Sequence, residues 1–187
     1  MRLPAALAVV TRYRHDARTG LMLTALVALL GIPAGLLWTA VAPEIGVVVR
    51  GHEVYFTNPE DPGFIATDGW FAVIGAVAGL LTAALAFAAW RGVAAVLGLA
   101  VGGVLASLLA WRLGYQLGPA EPDLHGPAVA AGARLAAPLD LRALGVLFAW
   151  PISAITLFLA LTAGLEAEPP PRDAPAGPGP LAPDAWP

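Results

Sequence analysis

The chain has 187 residues, of which 58% are hydrophobic and 12% charged, a formal net charge of −3 and no cysteine. A soluble domain normally carries about 25% charged residues, so this composition excludes a water-covered globule and points to lipid as the main solvent. The missing cysteines exclude disulfides, thiolate metal sites and cysteine nucleophiles, and the weakly acidic balance argues against a nucleic-acid partner.

In chain order, residues 1–19 form a cytoplasmic N-terminal segment rich in arginine, with Arg2, Arg12, Arg14 and Arg18. Its opening "MRLPAALAVV" is expected to lie along the membrane surface as an amphipathic start. The first apolar segment, 21–42, exceeds the about 7–15 apolar residues of a signal-peptide core. It contains the A-x-A pattern Ala40, Val41, Ala42, but Pro43 comes directly after it, so the segment is expected to be a retained anchor. Three further spans are expected at 69–90, 92–111 and 143–165, since a membrane-crossing helix needs about 20 apolar residues.

The second and third spans meet at Arg91 in "AFAAWRGVAAV". One continuous helix over both would run roughly 67 Å, about twice the ~30 Å hydrocarbon core. An arginine at the centre of a span costs about 2.5–3.5 kcal/mol, and one at the surface costs little. Arg91 therefore marks a reversal, and Gly92 supplies the backbone freedom the turn requires.

Arginines placed near the first span put both termini in the cytoplasm of a plasma (inner) membrane, with loops 43–68 and 112–142 outside. Trp38, Trp70, Trp90 and Trp111 are expected at the membrane interfaces. Trp150 precedes Pro151, and a kink is expected there. In the first outer loop, β-prone runs around "RGH" predict a hairpin of Ile45–Val49 with Glu53–Thr57. Such a hairpin needs support from helix ends, the second loop or a partner. Asp68 before Gly69 is expected to cap the second span. Glu44, Glu53, Glu60, Asp61 and Asp68, with His52, read as a solvated acidic surface rather than a cation site. In the second loop, "AVAAGARLAAPLDLRALG" predicts a short surface helix broken at Pro138, with Asp140 capping the turn after it. The last segment, 166–187, holds eight prolines and is expected to be a disordered cytoplasmic tail.

Small residues at four-residue spacing suggest close helix pairing: Ala94, Gly98, Gly102, Ala106 and Ala110 in the third span, Gly75, Gly79 and Ala83 in the second, and Gly31 and Gly35 around Pro33. These faces are expected to seat the second and third spans on each other and dock them on the first. The fold class is thus an all-α four-helix membrane bundle with a short extracytoplasmic β-hairpin.

The phrases "GIPAGLLWTAVAP", "FIATDGWFAVIGAVAGLL" and "APLDLRALGVLFAWP", in that order, resemble a family of small actinobacterial multi-span membrane proteins known only as a domain of unknown function. The likeness covers about residues 20 to 165. It implies the same membrane layout and transfers no functional residue.

The spans carry only hydroxyls as polar groups: Thr24, Thr39, Thr82, Ser107, Ser153, Thr156 and Thr162. No nucleotide-binding loop, nucleophile elbow or zinc motif is present, and His52 and His125 lack a third ligand. No catalytic, cofactor-binding or metal residue is therefore assigned, and no cofactor. The leading expectation is a non-enzymatic accessory or scaffold subunit of the cell envelope. Its partners are the lipid bilayer and a membrane protein, or a second copy, met through the Gly/Ala helix faces. The alternative is a transporter or channel subunit with a pathway formed between protomers, which predicts a water-filled groove lined by Thr82, Ser107 or Thr156. A membrane enzyme would need Glu53, Asp68 and His52 to converge.

Overall fold

A computed structural model describes residues 3–50, 53–58, 60–120 and 134–166. The helices are α1 (Leu3–Leu29), α2 (Gly31–Val41), α3 (Gly63–Ala89), α4 (Val93–Leu117) and α5 (Ala149–Glu166), with a 3-10 turn at Leu144–Phe148 ahead of α5. Four segments are long and apolar enough to cross a membrane: Asp16–Val41, Gly63–Ala89, Val93–Leu117 and Leu144–Gly164, each with a hydropathy of 2.2 to 2.4. The chain is a four-span membrane bundle with a small β-sheet at one end.

The first span is two helices. Pro33 has no N–H to give to the preceding turn, so the ladder breaks just before it. The Leu30 amide instead reaches the Val27 carbonyl (3.1 Å) in a tighter turn. On its other side, α1 runs unbroken from Leu3 into the span, so the N-terminal segment and the start of the span share one helix.

The reversal falls where Arg91 placed it. Trp90 and Arg91 are non-helical, and Gly92 takes φ +99°, the one positive φ among the described residues. A side chain there would be strained, and the guanidinium of Arg91 rests over the Phe87 ring at 4.8 Å. The adjoining helices touch only lightly, against the expected close seating. α3 lies chiefly against α5, and α4 lies against α1, α2 and α5.

Missing side chains explain these pairings. A Cβ on Gly35 would sit 2.8 Å from the Ala110 carbonyl oxygen, and one on Gly31 would overlap the Ala106 carbonyl. One on Gly102 would come within 2.9 Å of Val27, and one on Gly98 within 3.0 Å of the Gly20 carbonyl. The expected ridge on the third span is thus the seat of the first span. The Gly75 and Gly79 face instead meets Trp150, Ser153 and Ala154 of α5, and Gly103 meets Pro151. Lipid gives apolar helices no hydrophobic reason to associate, so close backbone approach selects the pairs.

The expected kink at Trp150–Pro151 is a change of helix type. The 3-10 turn ends at Phe148, and Pro151 falls in the first turn of α5, where its missing N–H has no intrahelical partner to lose.

Strands β1 (Gly46–Arg50), β2 (Glu53–Phe56) and β3 (Arg134–Ala136) form an antiparallel sheet of order β2-β1-β3. The hairpin register pairs Val47 with Phe56 and Val49 with Val54. Residues 134–143 correct the expected surface helix. Arg134–Ala136 pairs as a strand with Gly46–Val48, and the Ala137 amide reaches the Ile45 carbonyl (2.7 Å). Extended pairing satisfies the second edge of β1, which a helix would leave open. The turn residue His52, residues 121–133 including His125, and the tail from 167 lie outside the described residues.

Candidate functional site at the sheet end of the bundle

Both α3 and α4 outrun the apolar segments expected for them, and their extra turns build the sheet end. At ~1.5 Å per residue α3 is about 40 Å long, about 10 Å more than the hydrocarbon core. It starts at Gly63, where the Asp61 carboxylate accepts the Gly63 amide (2.8 Å). Asp68 therefore lies inside the helix and does not cap it. Its two oxygens instead accept the amides of Arg142 (3.2 Å) and Ala143 (2.8 Å), just ahead of the 3-10 turn. Asp68 thus caps a segment 74 residues away in place of the expected second span. α4 continues past Trp111 to Leu117 and stops at Gly118 and Pro119.

Trp38 ties the two levels together. It is 0% exposed, so it sits inside the bundle and not in an interfacial belt. Its indole N–H donates to the Thr67 carbonyl (3.1 Å), and its ring meets Phe71 edge-on at 5.0 Å. Gly114 gives it room, since a Cβ there would overlap the indole. Trp111 donates to the Asp140 carboxylate (2.9 Å), whose same oxygen also takes the Leu141 amide (2.8 Å).

Between the helix ends and the sheet lies a cavity of about 620 Å³. The end of α2, β1, β2, the start of α3, the end of α4 and the segment after β3 all contribute to its wall. Ile45, Val47, Val54, Phe56, Leu117 and Leu139 make it apolar, while Glu44, Tyr115, Asp140 and Arg142 make it polar. The Arg142 guanidinium lies 3.5 Å from the centre of the Phe64 ring and 5.2 Å from that of Phe56. The two rings meet edge-on at 5.1 Å. This three-residue stack fastens β2 to α3, which gives the marginal hairpin its support.

Of the residues of the enzyme reading, His52 lies outside those described, and each carboxylate has partners of its own. Asp68 is committed to two amides, Glu53 accepts the Tyr55 hydroxyl, and neither lines the cavity. Asp61 and Asn58 serve as turn caps, the latter taking the Glu60 amide at 3.1 Å. Among the described residues no three His, Asp or Glu side chains gather to hold a metal.

Of the hydroxyls of the transporter reading, two are buried and one lines a shallow groove. Thr82 is buried, donates to the Ala78 carbonyl (2.9 Å) and accepts the Trp150 indole N–H (3.3 Å). Ser107 is 1% exposed and its hydroxyl has no partner among the described residues. Thr156 lines a separate shallow groove on the outer face between α3 and α5.

Sequence reasoning missed the Arg142 stack and the cavity. The only trace of them was an arginine preceded by "APLDL" and phenylalanines at 56 and 64, none of which carries a periodic signal.

Comparison with protein-family models, curated proteins and solved structures finds no match. What stands is the layout: a multi-pass membrane protein with four candidate spans.

Proposed function

We propose that the chain is a non-enzymatic accessory or scaffold subunit of a plasma-membrane assembly, with both termini in the cytoplasm. The observation that carries this reading is how the polar groups are spent. Asp61, Asp68 and Asp140 hold backbone amides or an indole, and Thr82 is bonded within the bundle. The buried face of α4 is close packing of Ala95, Gly98, Leu99, Gly102, Gly103, Ala106 and Ser107, with Ser107 its one hydroxyl. A transport path through one protomer needs ionisable or hydrated groups along its length, and that packing argues against one.

Two measurements test the reading. A photo-crosslinker at Tyr55 on the sheet, compared with one at Leu81 on the apolar exterior, is expected to give a discrete product with a single other membrane protein from one of these sites in native membranes. Products absent from both, or the same smear from both, overturn it. For orientation, single cysteines replace Val48 and Arg91 in this cysteine-free chain. A membrane-impermeant thiol reagent added to intact cells is expected to label position 48 and spare position 91, and the reverse pattern inverts the topology.

A further inference from the structure

The cavity under the sheet has features that the scaffold reading leaves unused. We propose that it seats the headgroup of one phospholipid, with the lipid phosphate on the edge of the Arg142 guanidinium.

The stacking geometry supplies the first reason. A guanidinium lying on an aromatic ring spends its flat face and keeps its N–H edge for a planar or tetrahedral oxyanion. The Arg142 guanidinium sits 3.5 Å over the Phe64 ring, with the Phe56 ring, nearly perpendicular to it, farther away at 5.2 Å. Among the described residues its guanidinium donates no hydrogen bond and meets no carboxylate, and it is part of the cavity wall. One oxygen of Asp140, the nearest acid in sequence, is taken by Trp111 and Leu141.

The second reason is position and size. About 620 Å³ falls within the 300–1,000 Å³ typical of small-molecule sites. The wall contains the ends of α2 and α4 and the start of α3, the level at which the spans leave lipid. Thr39 and Ala40, at the end of the first span, also line it, and Ala40 is exposed. An amphiphile can therefore enter from the membrane side with its chains still in lipid. Ile45, Val54 and Phe56 face its glycerol region.

The third reason is charge. Exposed Glu44 and Asp140 share the wall with Arg142. A bare phosphate ion would meet those acids with nothing to offer them. A phospholipid headgroup carries a donor beyond its phosphate, an ammonium or a hydroxyl, which suits Glu44. This assignment is independent of the accessory role.

The test is native mass spectrometry of the full chain, delipidated in neutral detergent and titrated with phosphatidylethanolamine, phosphatidylglycerol, diacylglycerol or inorganic phosphate. One saturable adduct is expected with either phospholipid and none with diacylglycerol, and inorganic phosphate should not displace the lipid. Arg142→Gln is expected to lower retention about tenfold, as befits loss of a charge-assisted bidentate contact. Ala40→Phe, which fills the mouth from an exposed position, should do the same. Arg112→Gln, an exposed arginine outside the cavity wall, should leave retention unchanged. Circular dichroism confirms the fold of each variant, and Ala40→Phe carries the test if Arg142→Gln does not fold. Wild-type retention in the folded variants overturns the proposal. So does equal loss in the two arginine variants, which would mean surface charge alone, or displacement by inorganic phosphate, which would mean a free-anion site.

Discussion

The membrane-level bundle and its sheet end are held by different physics. Within the spans, contact is made by what is absent: Gly31, Gly35, Gly98 and Gly102 let backbones approach until carbonyl oxygens and Cβ positions nearly coincide. At the sheet end, contact is made by particular atoms: Asp68 to two amides, Trp111 to Asp140, and Arg142 on two rings. Lipid offers apolar helices no drive to associate, so shape selects partners there. Near water, directional bonds can be satisfied elsewhere, so each contributes modestly but fixes register and geometry.

Substitutions at the two levels should break this comparison in different ways. Trp38→Ala belongs to both, since it empties a fully buried site and removes the bond to Thr67. A loss of about 3–5 kcal/mol is expected in unfolding titrations in mixed micelles, and a loss below about 1 kcal/mol would mean that the two levels are not joined through this indole. Gly31→Leu tests the shape rule. The obstacle is the Ala106 backbone and cannot move aside as a side chain would, so about 2–3 kcal/mol should be lost. Leu36→Ala, on the exposed face of the same helix, should change little in the same assay.

Asp68→Ala tests the directional rule. It orphans the Arg142 and Ala143 amides and should cost about 1–2 kcal/mol. Because these amides lead into the 3-10 turn, faster amide exchange confined to residues 142–146 is the accompanying signature. Uniform acceleration across the bundle would show that Asp68 acts on global stability and not on this junction. The smallest effect is expected at Ser107→Ala. Its buried hydroxyl has no partner among the described residues, so removal should be neutral or stabilise by up to about 1 kcal/mol. A clear destabilisation would reveal an interaction partner for that hydroxyl and weaken the picture of an undemanding apolar interior.

Much of the fold was legible before the structure. Arg91 and Gly92 mark the reversal, the hairpin strands fall within one residue of their expected limits, and the small-residue ridge of the third span is the docking face of the first. The errors have a common origin. Apolar runs end where lipid ends, whereas helices end where a cap or breaker stops them, so α3 began at Gly63 and α4 continued to Leu117. Alanine-rich 134–143 reads as helical by propensity, yet the open edge of β1 recruits Arg134–Ala136 as a strand. Trp38, expected at an interface, lies buried in the bundle, because its facing depends on the room that Gly114 leaves across the bundle.

What the sequence determined alone is the number of crossings and the place of the turn. Both arise from the free energy of moving one residue or one run into hydrocarbon, a local quantity summed along the chain. Only the tertiary structure decided that α3 pairs with α5, that Asp68 caps a distant turn, and that Arg142 lies stacked in a cavity wall. Each is a contact between residues far apart in the chain, set by which backbones fit closely and not by the character of either residue by itself.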